Sequence, residues 1–77
     1  MEKQRAFSMI ISRGVVVAGE NDTATFVSQL MEQNNIGAVV ILRGEKLIGL
    51  VSERDVVRRV VAKGIPSDQI KVKEFII

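Results

Sequence analysis

The sequence contains no cysteine and no histidine. Disulfide staples, zinc sites built on thiolate or imidazole, and every Cys-His or Ser-His nucleophile arrangement are therefore excluded. Aromatic residues are few, three phenylalanines and neither tryptophan nor tyrosine. That leaves little platform for stacking single-stranded bases. A strong charge bias is missing too: 11 Lys plus Arg against 9 Asp plus Glu give a net charge of +2, too little to imply nucleic acid. No run without charged or amide side chains is longer than that of Ile36 to Leu42, about a third of the ~20 residues a bilayer crossing needs. Phe7 to Ile11 is too short for the core of a signal peptide, so a cytoplasmic chain without membrane contact is the expectation.

What is present is a chain of 77 residues, 47% hydrophobic and 26% charged, the balance of a folded unit rather than a disordered one. At roughly half the usual length of a domain it holds one small core. Such a core leaves little surplus over conformational entropy, so association with a copy or a neighbour is expected.

The β-branched run Gly14-Val15-Val16-Val17-Ala18 predicts a buried first strand. Asn21 or Asp22 can cap the helix that follows, where Thr23, Phe26, Val27, Leu30 and Met31 recur at helical spacing. Asn34 and Asn35 tolerate the left-handed conformation that ends it. Two apolar runs, Gly37 to Leu42 and Leu47 to Val51, flank Arg43-Gly44-Glu45-Lys46 and predict a β-hairpin. From Glu53 the period is helical again, with Val56, Val57, Val60 and Val61 as the apolar face, ended by Gly64 and Pro66. Residues 67–69 read as a turn and 70–73 as a short extended or irregular return. Ser8-Met9-Ile10-Ile11 and Glu74-Phe75-Ile76-Ile77 share one pattern, so the chain ends on what resembles its own beginning. An apolar tail packed on its own domain is the alternative.

The order strand, helix, strand, strand, helix, with Gly49-Leu50-Val51-Ser52-Glu53-Arg54-Asp55 joining the last strand to the last helix and Asn35 to Val40 before it, resembles the CBS domain family. The resemblance covers nearly the whole chain. It implies an α+β fold, a βαββα repeat with a small mixed sheet and two helices packed on one side, its core at about 12–65 and residues 66–77 a turn and return leading toward a second repeat. It further implies pairing of repeats, as a homodimer or with a second repeat, into a regulatory module without catalytic activity. Such modules bind AMP, ADP, ATP, S-adenosylmethionine or NADH between the repeats; AMP or ATP is the expected regulatory ligand, and no cofactor is required. Carried over by position, Asp55 accepts from the ribose hydroxyls and Ser52 contacts ribose or phosphate. Gly14, Val15, Val16, Gly37 and Ala38 border the adenine, and Arg54 and Arg58 are looser candidates for phosphate. The chain departs from the family pattern at Ala18-Gly19-Glu20, which lacks a proline, and at Ile10 and Ile76, where methionine is common.

Elementary chemistry is compatible with this arrangement. A helix beginning at Glu53 presents unpaired N–H groups to a phosphate, Arg54 adds a forked donor, and a carboxylate suits a vicinal diol. The same residues have a purely structural reading: Ser52 to Asp55 is a capping box, and Asp55 can pair with Arg58 or Arg59 one turn on. Two further functions follow from other readings of the residues: a structural dimerisation module without ligand, and nucleic-acid binding along Arg54, Arg58, Arg59 and Lys63, against which the shortage of aromatics argues.

Overall fold

The computed structural model describes residues 15–76. Three strands form one mixed sheet in the order β1-β2-β3: β1 is Val17–Gly19, β2 Ala38–Arg43 and β3 Lys46–Ser52. β1 runs parallel to β2, with Val17 level with Val40, and β2 runs antiparallel to β3, with Ala38 opposite Ser52. The parallel pair is joined by helix α1, Ala24–Asn34, the crossover that parallel strands require. Helix α2 starts at Glu53–Val56 and continues as a π-helical turn over Val57–Val61, and a short 3₁₀ turn at Val72–Glu74 closes the described chain. This is the expected α+β arrangement.

Several boundaries differ from expectation for local reasons. The first strand covers three residues, Val17–Gly19, instead of Gly14 to Ala18; Gly14 and the candidate N-terminal motif Ser8 to Ile11 lie outside the described residues. The cap of α1 is Thr23, whose hydroxyl accepts from the Phe26 N–H at 3.1 Å, rather than Asn21 or Asp22. Asp22 is engaged elsewhere, its carboxylate accepting from the Gly19 N–H at 2.7 Å. Asn35 ends α1 in the left-handed region (φ 53°), and Gly44 (φ 62°) turns the hairpin. A register shift between Ile41 and Leu42 brings Leu47 opposite Leu42, one residue early.

The core lies between the helices and one face of the sheet: Ala24, Val27 and Met31 of α1, Val39, Ile41 and Val51 of the sheet, and Val56 and Val60 of α2. Val57 and Val61, expected on the same apolar face, are 55% and 61% exposed; only the i, i+4 pair Val56 and Val60 reaches the core. The core also extends past the expected limit at 65. Ile70, Val72 and Phe75 are buried in it and Ile76 packs against it. Residues 70–73 run back along the β1–α1 connection, where the Val72 N–H donates to the Asp22 carbonyl at 2.8 Å and the Lys73 N–H to the Glu20 carbonyl at 3.0 Å. On the second face of the sheet Val40 and Leu42 are buried beside Val17, and Leu50, opposite Val40, is 60% exposed.

Candidate functional site

Most of the expected site residues meet at one end of the sheet because β1 and β2 begin where β3 ends. Ala38 faces Ser52 across the antiparallel pair, the Glu53 N–H donates to the Gly37 carbonyl at 3.0 Å, and the Val40 N–H donates to the Val16 carbonyl at 3.1 Å. Val15, ahead of β1, is exposed. Gly37 carries no side chain into this corner; a Cβ there would stand 3.5 Å from Glu53 Oε1.

From this corner Ser52 starts α2 and binds Asp55 in a closed capping box. Asp55 Oδ2 accepts from both the Ser52 N–H and the Ser52 hydroxyl, each at 2.9 Å, while Ser52 Oγ accepts from the Asp55 N–H at 3.1 Å. The Ser52 backbone N–H is the main reason that the Asp55 carboxyl lies below the usual aspartate value; partial burial opposes it, and the Ser52 hydroxyl and the charges of Arg59 and Arg54 add to the lowering. Two N–H groups of the first turn, those of Glu53 and Asp55, are therefore already paired, which weakens the expected phosphate seat there.

The other carboxylate oxygen, Oδ1, takes no part in the cap. It lies 3.8 Å from Arg59 Nε, an i, i+4 ion pair between half-exposed side chains. Asp55 and Arg59 line a pocket of about 200 Å³ with Leu50, Val51, Phe75 and Ile76. Arg59 also donates from Nη1 to the Phe75 carbonyl at 3.0 Å. Of these, Arg59 was legible in the sequence only as a pairing partner, through its i+4 spacing from Asp55. Phe75 and Ile76 were legible as an apolar tail that packs on its own domain but not as walls of this pocket, because their place depends on a return of the chain across twenty residues.

A larger hollow of about 410 Å³ opens between the end of α1 and the start of α2, lined among others by Met31, Glu32, Gly37, Glu53 and Val57. Its two carboxylates make it unsuited to an anionic ligand. Gly37 borders this hollow and Asp55 the smaller pocket, so the two are divided by the Ser52–Glu53 corner. Arg54 and Arg58 are exposed on α2 and line neither cavity. No cluster of three or more acidic side chains suited to a metal occurs among the described residues, and no helix among them is long and apolar enough to cross a membrane.

The CBS domain model matches residues 7–62. The chain is a member of the CBS domain family. A CBS domain protein fused to a Zn-ribbon-like domain superposes with a TM-score of 0.78 at 33% identity, covering 82% of this chain and 90% of that one. Hypoxic Response Protein I, solved with two coordinated zinc ions, superposes with a TM-score of 0.77 at 32% identity, over 83% of this chain and 54% of that one. Among curated relatives, hypoxic response protein 1 of Mycobacterium tuberculosis is 35% identical over 57 residues, and an uncharacterised protein of Methanopyrus kandleri is 30% identical over 67. The matches cover 73% and 86% of this CBS repeat but only 40% and 34% of those relatives, so the chain spans well under half of their length.

Proposed function

We propose that this CBS repeat is one half of a non-catalytic regulatory module that binds an adenosine-containing ligand, AMP or ATP foremost, against a second repeat. The observation that carries the reading is Asp55 Oδ1. It is the carboxylate oxygen of Asp55 left outside the capping box, 3.8 Å from Arg59 Nε, and Asp55 and Arg59 both line a pocket with apolar walls from Leu50, Val51 and Phe75. A vicinal diol donates two hydrogen bonds and is matched by such an acceptor. At about 200 Å³ the pocket is below the ~300–1,000 Å³ of sites that enclose a small molecule. It suits a ribose and leaves the base to be covered from elsewhere, as pairing of repeats would do. A similar chain from Burkholderia ambifaria, 31% identical with a TM-score of 0.77, is described as a candidate signal-transduction protein with CBS domains, which supports the regulatory part. A ligand that spans two repeats favours their closed arrangement by its difference in affinity for closed and open, and only that difference is passed to an attached partner.

The closed Ser52–Asp55 cap favours a second reading, a structural dimerisation module with no ligand. Titration calorimetry separates the two. AMP, ATP, S-adenosylmethionine and NADH are titrated into protein of known oligomeric state. At least one is expected to bind, with affinity at least tenfold lower in Asp55→Ala and an unchanged circular dichroism spectrum. Absence of binding at millimolar concentration to a verified dimer establishes the structural module instead.

A further inference from the structure

Arg59 touches two groups that belong to different parts of the chain. Nε faces Asp55 Oδ1 at 3.8 Å, and Nη1 donates to the Phe75 carbonyl at 3.0 Å. The planar guanidinium is suited to this because its donors point in fixed, separate directions. On the other side of Arg59 a hollow is lined by Lys63, Ile65, Ile70 and Glu74. Glu74, its one carboxylate, is turned to the Lys71 N–H at 2.9 Å, which leaves Asp55 as the anion beside Arg59. Phe75 and Ile76, whose N–H groups both donate to the Val72 carbonyl at 3.1 and 2.9 Å, are two of the six residues around the Asp55 pocket.

We propose that Arg59 is a positioning residue that couples Asp55 to the C-terminal segment, so that the charge on Asp55 and the seating of residues 72–76 form a single linked equilibrium. The coupling stands on the two contacts of Arg59; its extension to a nucleotide rests on the function proposed above. With Asp55 ionised, Arg59 is held over the Phe75 carbonyl and the segment stays down on the core. Anything bound in the pocket uses walls that exist only when the segment is seated, and so must stabilise that seating.

Amide hydrogen exchange on the full chain tests this, read at Phe75 and Ile76, with Val40 in the sheet as internal reference. Arg59→Gln removes the charged donor and is expected to speed exchange at Phe75 and Ile76 about tenfold, leaving Val40 unchanged. Asp55→Asn is expected to speed the same two amides severalfold in the native background and to add nothing once Arg59→Gln is present. An equal Asp55→Asn effect with and without Arg59, or no effect of Arg59→Gln at these amides, overturns the coupling. Should Arg59→Gln fail to fold, Arg59→Lys keeps the charge without the fork and is expected to halve the Asp55→Asn effect at least; an undiminished effect overturns the proposal equally. Addition of AMP to the native chain is expected to slow Phe75 and Ile76. Binding without slowing defeats the coupling and spares the nucleotide reading, whereas absence of binding with the cycle intact defeats the nucleotide reading and spares the coupling.

Discussion

Asp55 shows how one carboxylate can serve a fold and still keep a face for chemistry. Its Oδ2 closes the start of α2, and its Oδ1 looks toward Arg59. Because Ser52 donors and nearby arginines favour the ionised form, the folded chain holds the Asp55 proton less tightly than the unfolded chain. The stabilisation is therefore whole above the ordinary aspartate value of 3.8, shrinks as pH falls below it, and is gone once pH has passed the lower value of the folded state. Thermal unfolding from about pH 6 to 3 is expected to show a fall in Tm that Asp55→Asn reduces. An Asp55→Asn profile superimposable on the native one would mean that this carboxylate carries none of the acid sensitivity. At pH 7 Asp55→Ala, which also removes the acceptor, is expected to cost about 1 kcal/mol through the cap alone.

Elements were legible in the sequence wherever a single residue type settles a local conformation. Asn35, Gly44 and Gly64 take positive φ where a helix end, a hairpin and a second helix end were expected, and Ser52 with Asp55 forms the expected capping box. The start of α1 was not legible to the residue, since Asn21, Asp22 and Thr23 are all good caps. The Gly19 N–H takes the Asp22 carboxylate, and the Thr23 hydroxyl makes the cap. Residues 70–76 were legible as a return ending in an apolar tail packed on its own domain, but not where that return lies. Ile70-Lys71-Val72-Lys73 is the irregular return that the sequence suggests, but its backbone is bound to Asp22 and Glu20, and Ile70 and Val72 join the core, which no local pattern shows. The site inherits this gap: the corner at Gly37, Ala38 and Ser52 follows from local pattern, whereas the Phe75 and Ile76 walls depend on tertiary contact. Phe75→Ala is accordingly expected to destabilise the chain by about 3–5 kcal/mol, the cost of emptying a buried aromatic site. In a protein of this size that is a large part of the total. Urea denaturation measures it; a loss below 1 kcal/mol would mean that the segment lies on the core without being part of it.

At the scale of the whole molecule, the most exposed large apolar side chains among the described residues lie on α2 and on the sheet. Val57 and Val61 of α2 line open hollows beside α1, and Leu50 stands on the sheet face away from the core, opposite Val40. They have different consequences for function. Leu50 lines the Asp55 pocket, so a second repeat laid on Leu50 covers the pocket in the same step, whereas one laid on Val57 and Val61, which line other hollows, leaves it open. If the ligand completes a paired site, assembly and binding must therefore respond together to a change at Leu50 and separately to a change at Val61. Sedimentation equilibrium at tens of micromolar is expected to give a mass above the 8.5 kDa of the chain. Leu50→Arg is expected to weaken that association at least tenfold, as the loss of one buried leucine implies, and to lower AMP affinity in parallel. Val61→Arg is expected to leave AMP affinity within twofold, whatever it does to mass. A chain that remains monomeric at 100 μM and still binds AMP with native affinity after Leu50→Arg would show that a single repeat encloses its ligand unaided. The exposed Leu50 would then need another explanation, and AMP a larger site, because a pocket of about 200 Å³ with one free carboxylate oxygen does not by itself cover a base, a ribose and a phosphate.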